Sequence, residues 1–309
     1  MIKQTNSIFD PIFRWVTLSG SLFILVTVIG ILLTLTHGAL PSLEKFGFGF
    51  LSSSEWNPYT HEYGALSSVY GTLVSTFIAM LIAVPLALVI ALFLVELAPP
   101  AVSRLVGGAI ELLAAIPSII YGMWGLFVFA PFLADHIQPK LAAIAPGFPL
   151  FEGPPMGIGL LTAGIILALM ILPFITSVTR DVFMMVPSIV KESAFGMGST
   201  TWEVTRKVTI PYGIQGVVGA CFLGLGRAIG ETMAVTFVIG NSHKISASLF
   251  AAGNSIASTL ANEFTEAADD IYLAALIELG LVLFGLTLVL QIIARWWLHR
   301  TAKRLGAVR

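Results

Sequence analysis

Charge is scarce in this chain. Of 309 residues only 11% are Asp, Glu, Lys or Arg, while 57% are hydrophobic and the mean hydropathy is +0.93. Soluble domains carry about 25% charged residues, so one water-facing core cannot absorb this sequence, and lipid must solvate much of its surface. Cysteine is nearly absent too. The single Cys221 excludes an internal disulfide and reads as a small packing residue. No G-x-x-x-x-G-K-[ST], H-E-x-x-H or G-x-S-x-G occurs, and no histidine pair has ligand spacing. P-loop ATP binding, zinc-protease chemistry and elbow-type hydrolysis are thereby excluded; neither a metal nor a cofactor is expected. Nor is there an excess of one sign: the net charge of -1 gives no field for nucleic acid. Gly224, Gly226 and Gly230 are misplaced for a dinucleotide fingerprint. Gly226 and Gly230 instead form a small-xxx-small pair suited to close helix approach.

What the chain has is long apolar runs. Six are long enough to cross a bilayer as helices: Val16–Thr36, Ser67–Val95, Leu105–Ala134, Gly157–Thr179, Gly213–Gly240 and Tyr272–Leu298. The first is too long for a signal-peptide core and no A-x-A site follows it, so it reads as a retained span. Pro85, Pro117 and Pro173 fall inside spans and should kink them. The sequence therefore predicts an all-α integral membrane protein with six transmembrane helices. Twelve basic residues fall on the side of the N-terminus, among them Lys3, Arg14, Arg104, Arg180, Lys191 and Arg309; only Lys45, Lys140 and Lys244 fall opposite. The positive-inside rule then puts both termini in the cytoplasm.

The external connections differ in kind. The first carries Phe46, Phe48, Phe50, Trp56, Tyr59 and Tyr63 with Glu44, Glu55 and Glu62; these aromatics read first as interfacial anchors, with a docking surface for a soluble partner as the sharper alternative. The second is proline-rich (Pro139, Pro146, Pro149, Pro154, Pro155), and the third holds Glu263, Glu266, Asp269 and Asp270.

The longest internal connection runs from about 180 to 212. Pro187 and Ser188 can open a short helix over Ile189–Phe195, which Gly196 and Gly198 can end; a second helical stretch, Thr201–Thr209, should stop at Pro211. A helix–glycine–helix on the surface is a plausible docking knob. Glu192-Ser193-Ala194, then Gly198, then Val208, Ile210 and Pro211 resemble the EAA loop of ABC-importer permeases, whose pattern is E-A-A, three residues, G, nine residues, I-x-L-P. Ser193 replaces an alanine, and Val208 and Ile210 replace Ile and Leu. Segments 63–99, 110–133, 223–241 and 253–264 further resemble the PstC-type permease family of phosphate-specific importers.

The resemblance implies a type I ABC-importer permease fold in the bacterial inner membrane. The whole chain, 1–309, would be one permease domain with its transport core at about 67–298. It would form a heterodimer with a PstA-type permease, served by two PstB-type ATPase subunits and an external PstS-type phosphate-binding protein. It assigns ATPase coupling to Glu192, Ser193, Ala194 and Gly198. The residue chemistry alone does not separate phosphate from molybdate or sulfate, nor this subunit from its sister. An ion-coupled carrier is the distant alternative, disfavoured because no internal repeat is visible.

Arg227 and Glu231 lie inside the fifth span, four residues apart and so on one helical face. A charge at the bilayer centre costs about 2.5–3.5 kcal/mol on insertion scales. Two readings fit: an ion pair that fixes helix orientation, or a substrate pathway in which the Arg227 guanidinium holds a tetrahedral oxyanion by forked bonds and Glu231 moderates that grip. Glu111 and Glu278, near span ends, could reach the interface and are expected to serve structural or interfacial roles.

Overall fold

In the computed structural model, residues 9–144 and 146–304 are described; Lys3 and Arg309 of the basic tally lie outside them. The architecture is a helical bundle. Helix α1 (Phe9–Phe46) leads through a single helical turn to a two-stranded hairpin, β1 (Trp56–Asn57) and β2 (Glu62–Tyr63), paired antiparallel with Trp56 opposite Tyr63. Then come α2 (Leu66–Leu97), α3 (Pro100–Ala114), α4 (Ser118–Ile144) and α5 (Leu160–Met184). The rest is α6 (Ser188–Gly196), α7 (Thr201–Ile229), α8 (Met233–Val238), α9 (Ile256–Glu263) and α10 (Asp270–Arg304). Among the described residues six helices, α1, α2, α4, α5, α7 and α10, are long and apolar enough to cross a membrane.

The packing has an axis. In α5, 61% of the apolar window is buried, against 0% in α1. Ala79, Ala83, Ala87 and Ala91 recur every fourth residue on α2, all fully buried. Between helices in lipid, where burial of apolar surface offers no net drive, such small residues let backbones approach and collect dispersion contacts. Ile166, Leu167, Met170, Ile171 and Ile175 of α5 share a core with Ala79, Ala83 and Ala87, while Ala91 packs with Phe183 and Val217. Helix α1 instead lies at the periphery against α10, with Trp15 and Phe23 about 70% exposed, as suits a surface facing lipid or a partner.

The spans differ from the sequence expectation in four places. The third does not begin at Leu105. Pro117, expected inside it, breaks the chain between α3 and α4 and opens α4, because its ring restricts the preceding residue and it lacks an N–H. Nor does it end at Ala134, since α4 runs on to Ile144. The helix after Gly198 does not stop at Pro211 but continues as α7. A π turn over Thr205–Thr209 precedes the proline, so the missing N–H falls where the hydrogen-bond ladder changes register. The fifth span is not one helix to Gly240: α7 ends at Ile229, Gly230 caps it and α8 follows. Gly230 therefore terminates a helix, whereas Gly226 does abut a neighbour, since a Cβ there would lie 3.1 Å from Gln291 Nε2 of α10. Cys221 is half-buried in the apolar core, as expected.

Candidate functional site

Two ends of the bundle and one half-buried cation, Arg227, concentrate the polar chemistry. At one end, the connection between α5 and α7 forms the expected helix–glycine–helix. Met197 and Gly198 close α6: Gly198 N–H donates to Phe195 O at 2.9 Å and Ser199 N–H to Ala194 O at 3.2 Å. Gly198 sits at φ +85°, a left-handed conformation that a Cβ penalises. Thr200 then caps the next helix, accepting from Glu203 N–H while Glu203 accepts from Thr200 N–H.

Of α6 itself, Ala194 faces inward at 7% exposure, and Ile189, Val190, Glu192 and Phe195 are exposed. Ser193 Oγ donates back to Ile189 O. Met185, Met197 and Trp202, all more than 60% exposed, extend the apolar surface on either side. Val208 and Ile210 are half-buried and Pro211 exposed, so the distal part of the motif belongs to the span and not to the knob. Lys191 turns inward to Glu96 at 2.7 Å.

Arg227 and Glu231 are not on one helical face, because the helix ends between them. No ion pair joins them among the described residues. Arg227 occupies the last turn of α7, its guanidinium carbon 5.7 Å from the centre of the Phe174 ring. Phe174 lies midway along α5, so Arg227 sits at mid-depth of the bundle although it ends its own helix. The C-terminal turn, with its unpaired carbonyls, suits a cation, and the ring face adds a cation–π contact. Glu231 acts elsewhere. Its Oε1 accepts from the Ala234 N–H and so starts α8.

Glu111 lies on α3, outside the span, 3.4 Å from Arg180 Nη1; its carboxylate is 60% exposed, so the pair is worth little. Glu278 does not reach the interface. It is 3% exposed and lines a mostly apolar cleft of about 630 Å³ with Leu43, Val69 and Leu286.

At the opposite end, most of the aromatic connection packs inward. Phe50 and Tyr63 are buried, Trp56 half-buried, and only Phe48 and Tyr59 exceed 90% exposure. Trp56 and Tyr63 pack with Tyr272 beside Glu263, which accepts from Trp56 Nε1 at 2.6 Å and Tyr272 Oη at 2.7 Å and lies 2.9 Å from His243 Nε2. Trp56 stacks on His243 with ring centres 5.3 Å apart. Asn254 Oδ1 accepts from Ser258 and Thr259, so its Nδ2 donates to His243 Nδ1 at 2.8 Å and to Ser68 at 3.1 Å. That order leaves the Nε2 proton of His243 directed at Glu263. Burial would push the Glu263 carboxyl up, but the bonds from His243, Tyr272 and Trp56 outweigh it and hold the group below the usual carboxylate range. Burial, with Asp269 and Glu263 nearby, pushes the Tyr63 phenol up to about 12. Sequence reasoning missed His243 and Asn254, and it missed Glu96; a lone acid ending an apolar span beside Pro99-Pro100 was the only hint.

A bundle of six apolar helices with an exposed helix–glycine–helix between its fourth and fifth spans is the build of an importer's membrane component. Residues 63–303 match the family described as binding-protein-dependent transport system inner membrane component, and this chain belongs to that family: a multi-pass inner-membrane protein of the transport-permease class. Its relatives include the phosphate transport system permease protein PstC of Mesorhizobium japonicum, 55% identical over 302 residues that cover 96% of this chain and 92% of that protein. The PstC of Pasteurella multocida is 52% identical, covering 98% and 96%. Among solved structures, a chain of the bacterial alginate ABC transporter in complex with alginate pentasaccharide-bound periplasmic protein superposes with TM-score 0.62 at 16% identity, covering 96% of this chain and 98% of that one. A chain of the inward-facing MetNI methionine ABC transporter gives 0.54 at 19%, covering 77% and 94%. These two likenesses show the fold.

Proposed function

We propose that this chain is the permease subunit of an ATP-driven phosphate importer, working by alternating access with both termini in the cytoplasm. The observation that carries the reading is α6: a short rigid helix with an exposed apolar rim, closed by a left-handed glycine, in a member of the binding-protein-dependent family. Phosphate as cargo rests on the PstC relatives. In this reading the whole chain is one permease domain. Glu192, Ser193, Ala194 and Gly198 dock into a cytoplasmic ATPase subunit, two copies of which serve a heterodimer with a sister permease. Val208, Ile210 and Pro211 carry the movement into α7. The hairpin end receives a phosphate-loaded binding protein.

Arg227 holds the anion in passage. Its guanidinium lies at mid-depth without an acidic partner among the described residues, and its forked donors match phosphate oxygens. Glu231, which caps α8, fixes where the helix breaks and so where Arg227 points. This replaces the expectation that Glu231 restrains Arg227 directly. Holding must stay weak enough for release.

The test is labelled-phosphate uptake in cells lacking their own importer of this type, supplied with this chain, its sister permease, ATPase and binding protein. Uptake should return, and should vanish with Glu192 and Gly198 altered. Arg227→Gln should stop uptake while the complex still assembles and hydrolyses ATP; normal uptake by that variant would remove Arg227 from the path. An assembled complex that moves molybdate or sulfate but no phosphate would correct the cargo and keep the transporter class.

A further inference from the structure

Helix α6 is almost entirely exposed, yet one charged contact ties it to the bundle. Lys191 Nζ lies 2.7 Å from Glu96 Oε1, with side chains 17% and 8% exposed. The same oxygen accepts from Thr209 Oγ1 at 2.8 Å, and Thr209 is fully buried. Three elements therefore meet on one carboxylate. Glu96 lies in the π turn Phe93–Leu97 that ends α2, and Thr209 closes the π turn Thr205–Thr209 within α7. Such turns mark places where a helix changes register, often at hinges. Helix α2 packs along the axial α5, and α7 carries Arg227 at its far end.

We infer that Glu96 is a positioning residue for transport, the tie through which a displacement of α6 reaches α2 and α7 together. The physical ground is asymmetry. A buried ion pair contributes little net stability against an apolar alternative, but separating its members strands a desolvated charge and is costly. Elements joined this way move jointly before they part. Thr209, held by the same oxygen, keeps α7 in step with α2. Lys191 sits one residue before Glu192, so a push delivered to the exposed face of α6 arrives at the tie within one helical turn.

The inference rests on the importer reading, and the test separates the two. The complete complex, reconstituted in proteoliposomes with its binding protein, is assayed for phosphate moved per ATP hydrolysed. Glu96→Gln, Lys191→Met and Thr209→Val should assemble and hydrolyse ATP, while the transport ratio falls by at least about fivefold for the two charge variants and less for Thr209→Val. Lys191→Arg, and the exchanged pair Glu96→Lys with Lys191→Glu, should recover part of it. Unchanged ratios in the charge variants overturn the tie. So does failure of every variant to assemble, since Glu96 would then serve folding alone. If the wild-type complex moves another oxyanion, the ratio is read with that anion. A wild-type chain that binds no ATPase overturns the importer reading, and the tie falls with it.

Discussion

The two ends of this bundle are held in opposite ways. At the hairpin end, Trp56, His243, Asn254, Glu263 and Tyr272 share a continuous set of short bonds, and Ser68, Thr72, Ser258 and Thr259 extend it into the helices. At the α6 end, the side-chain bonds across elements are few and mostly ionic: Lys191 and Thr209 with Glu96, Arg180 with Glu111. A network in which each donor has an acceptor resists local opening, because breaking one bond leaves its partner buried and unsatisfied. A few ties between the exposed α6 and the bundle allow α6 to shift as a unit. One end is fixed and the other hinged, which is what a transporter needs if a partner delivers substrate at the first and force at the second.

The largest expected effect comes from breaking the fixed end. Glu263→Ala leaves the Trp56, Tyr272 and His243 donors without their acceptor and should cost about 3 kcal/mol, read as a lower melting temperature of the purified protein in detergent. Acid should erode the same bonds. Because the folded state holds the Glu263 carboxyl low, its contribution is present above the ordinary carboxylate range and is lost as pH falls through the depressed value. The melting temperature of wild type should therefore drop on acidification by more than that of Glu263→Gln. An equal drop in both would detach the clasp from Glu263.

Next comes Gly71→Ala. A Cβ at that position would collide with the Asn254 carbonyl oxygen, so α2 must withdraw from the loop that carries Asn254. About 2 kcal/mol is expected, seen in the same melt together with greater protease access to the 241–255 loop. The smallest effect belongs to the hinged end. Lys207→Ala removes an exposed pair with Glu203, 3.5 Å apart and four residues on, and should change stability by less than about 0.5 kcal/mol. A drop as large as that of Gly71→Ala would show that this end is not loosely held.

How much of this could be read in advance follows from the range of the interactions. The α6 knob was legible because its parts are neighbours in sequence: Pro187 and Ser188 open it, Gly198 closes it, and each acts within one turn. The break at Gly230 was missed because hydropathy runs straight through it. Hydropathy registers solvent and is blind to whether an apolar stretch is one helix or two. The π turn before Pro211 was missed for a similar reason, since a proline reads as a stop unless the register shift that absorbs it is seen. The aromatic connection misled because Trp56 and Tyr63 suit a membrane interface and a packed cap equally well by composition.

Residue order alone was enough to establish that this chain lives in lipid, crosses it six times and presents a short exposed helix between its fourth and fifth spans. Those properties are sums over local residues: mean hydropathy, length of apolar runs, a glycine at a fixed distance from a helix start. Which charges meet was settled by the packing of the helices. It separated Arg227 from Glu231 by ending a helix between them, gave Glu263 its three donors from 56, 243 and 272, and brought Lys191 and Thr209 onto Glu96 from more than ninety residues away. Packing between lipid-embedded helices is itself set by small-residue contacts at close range that no hydropathy pattern records.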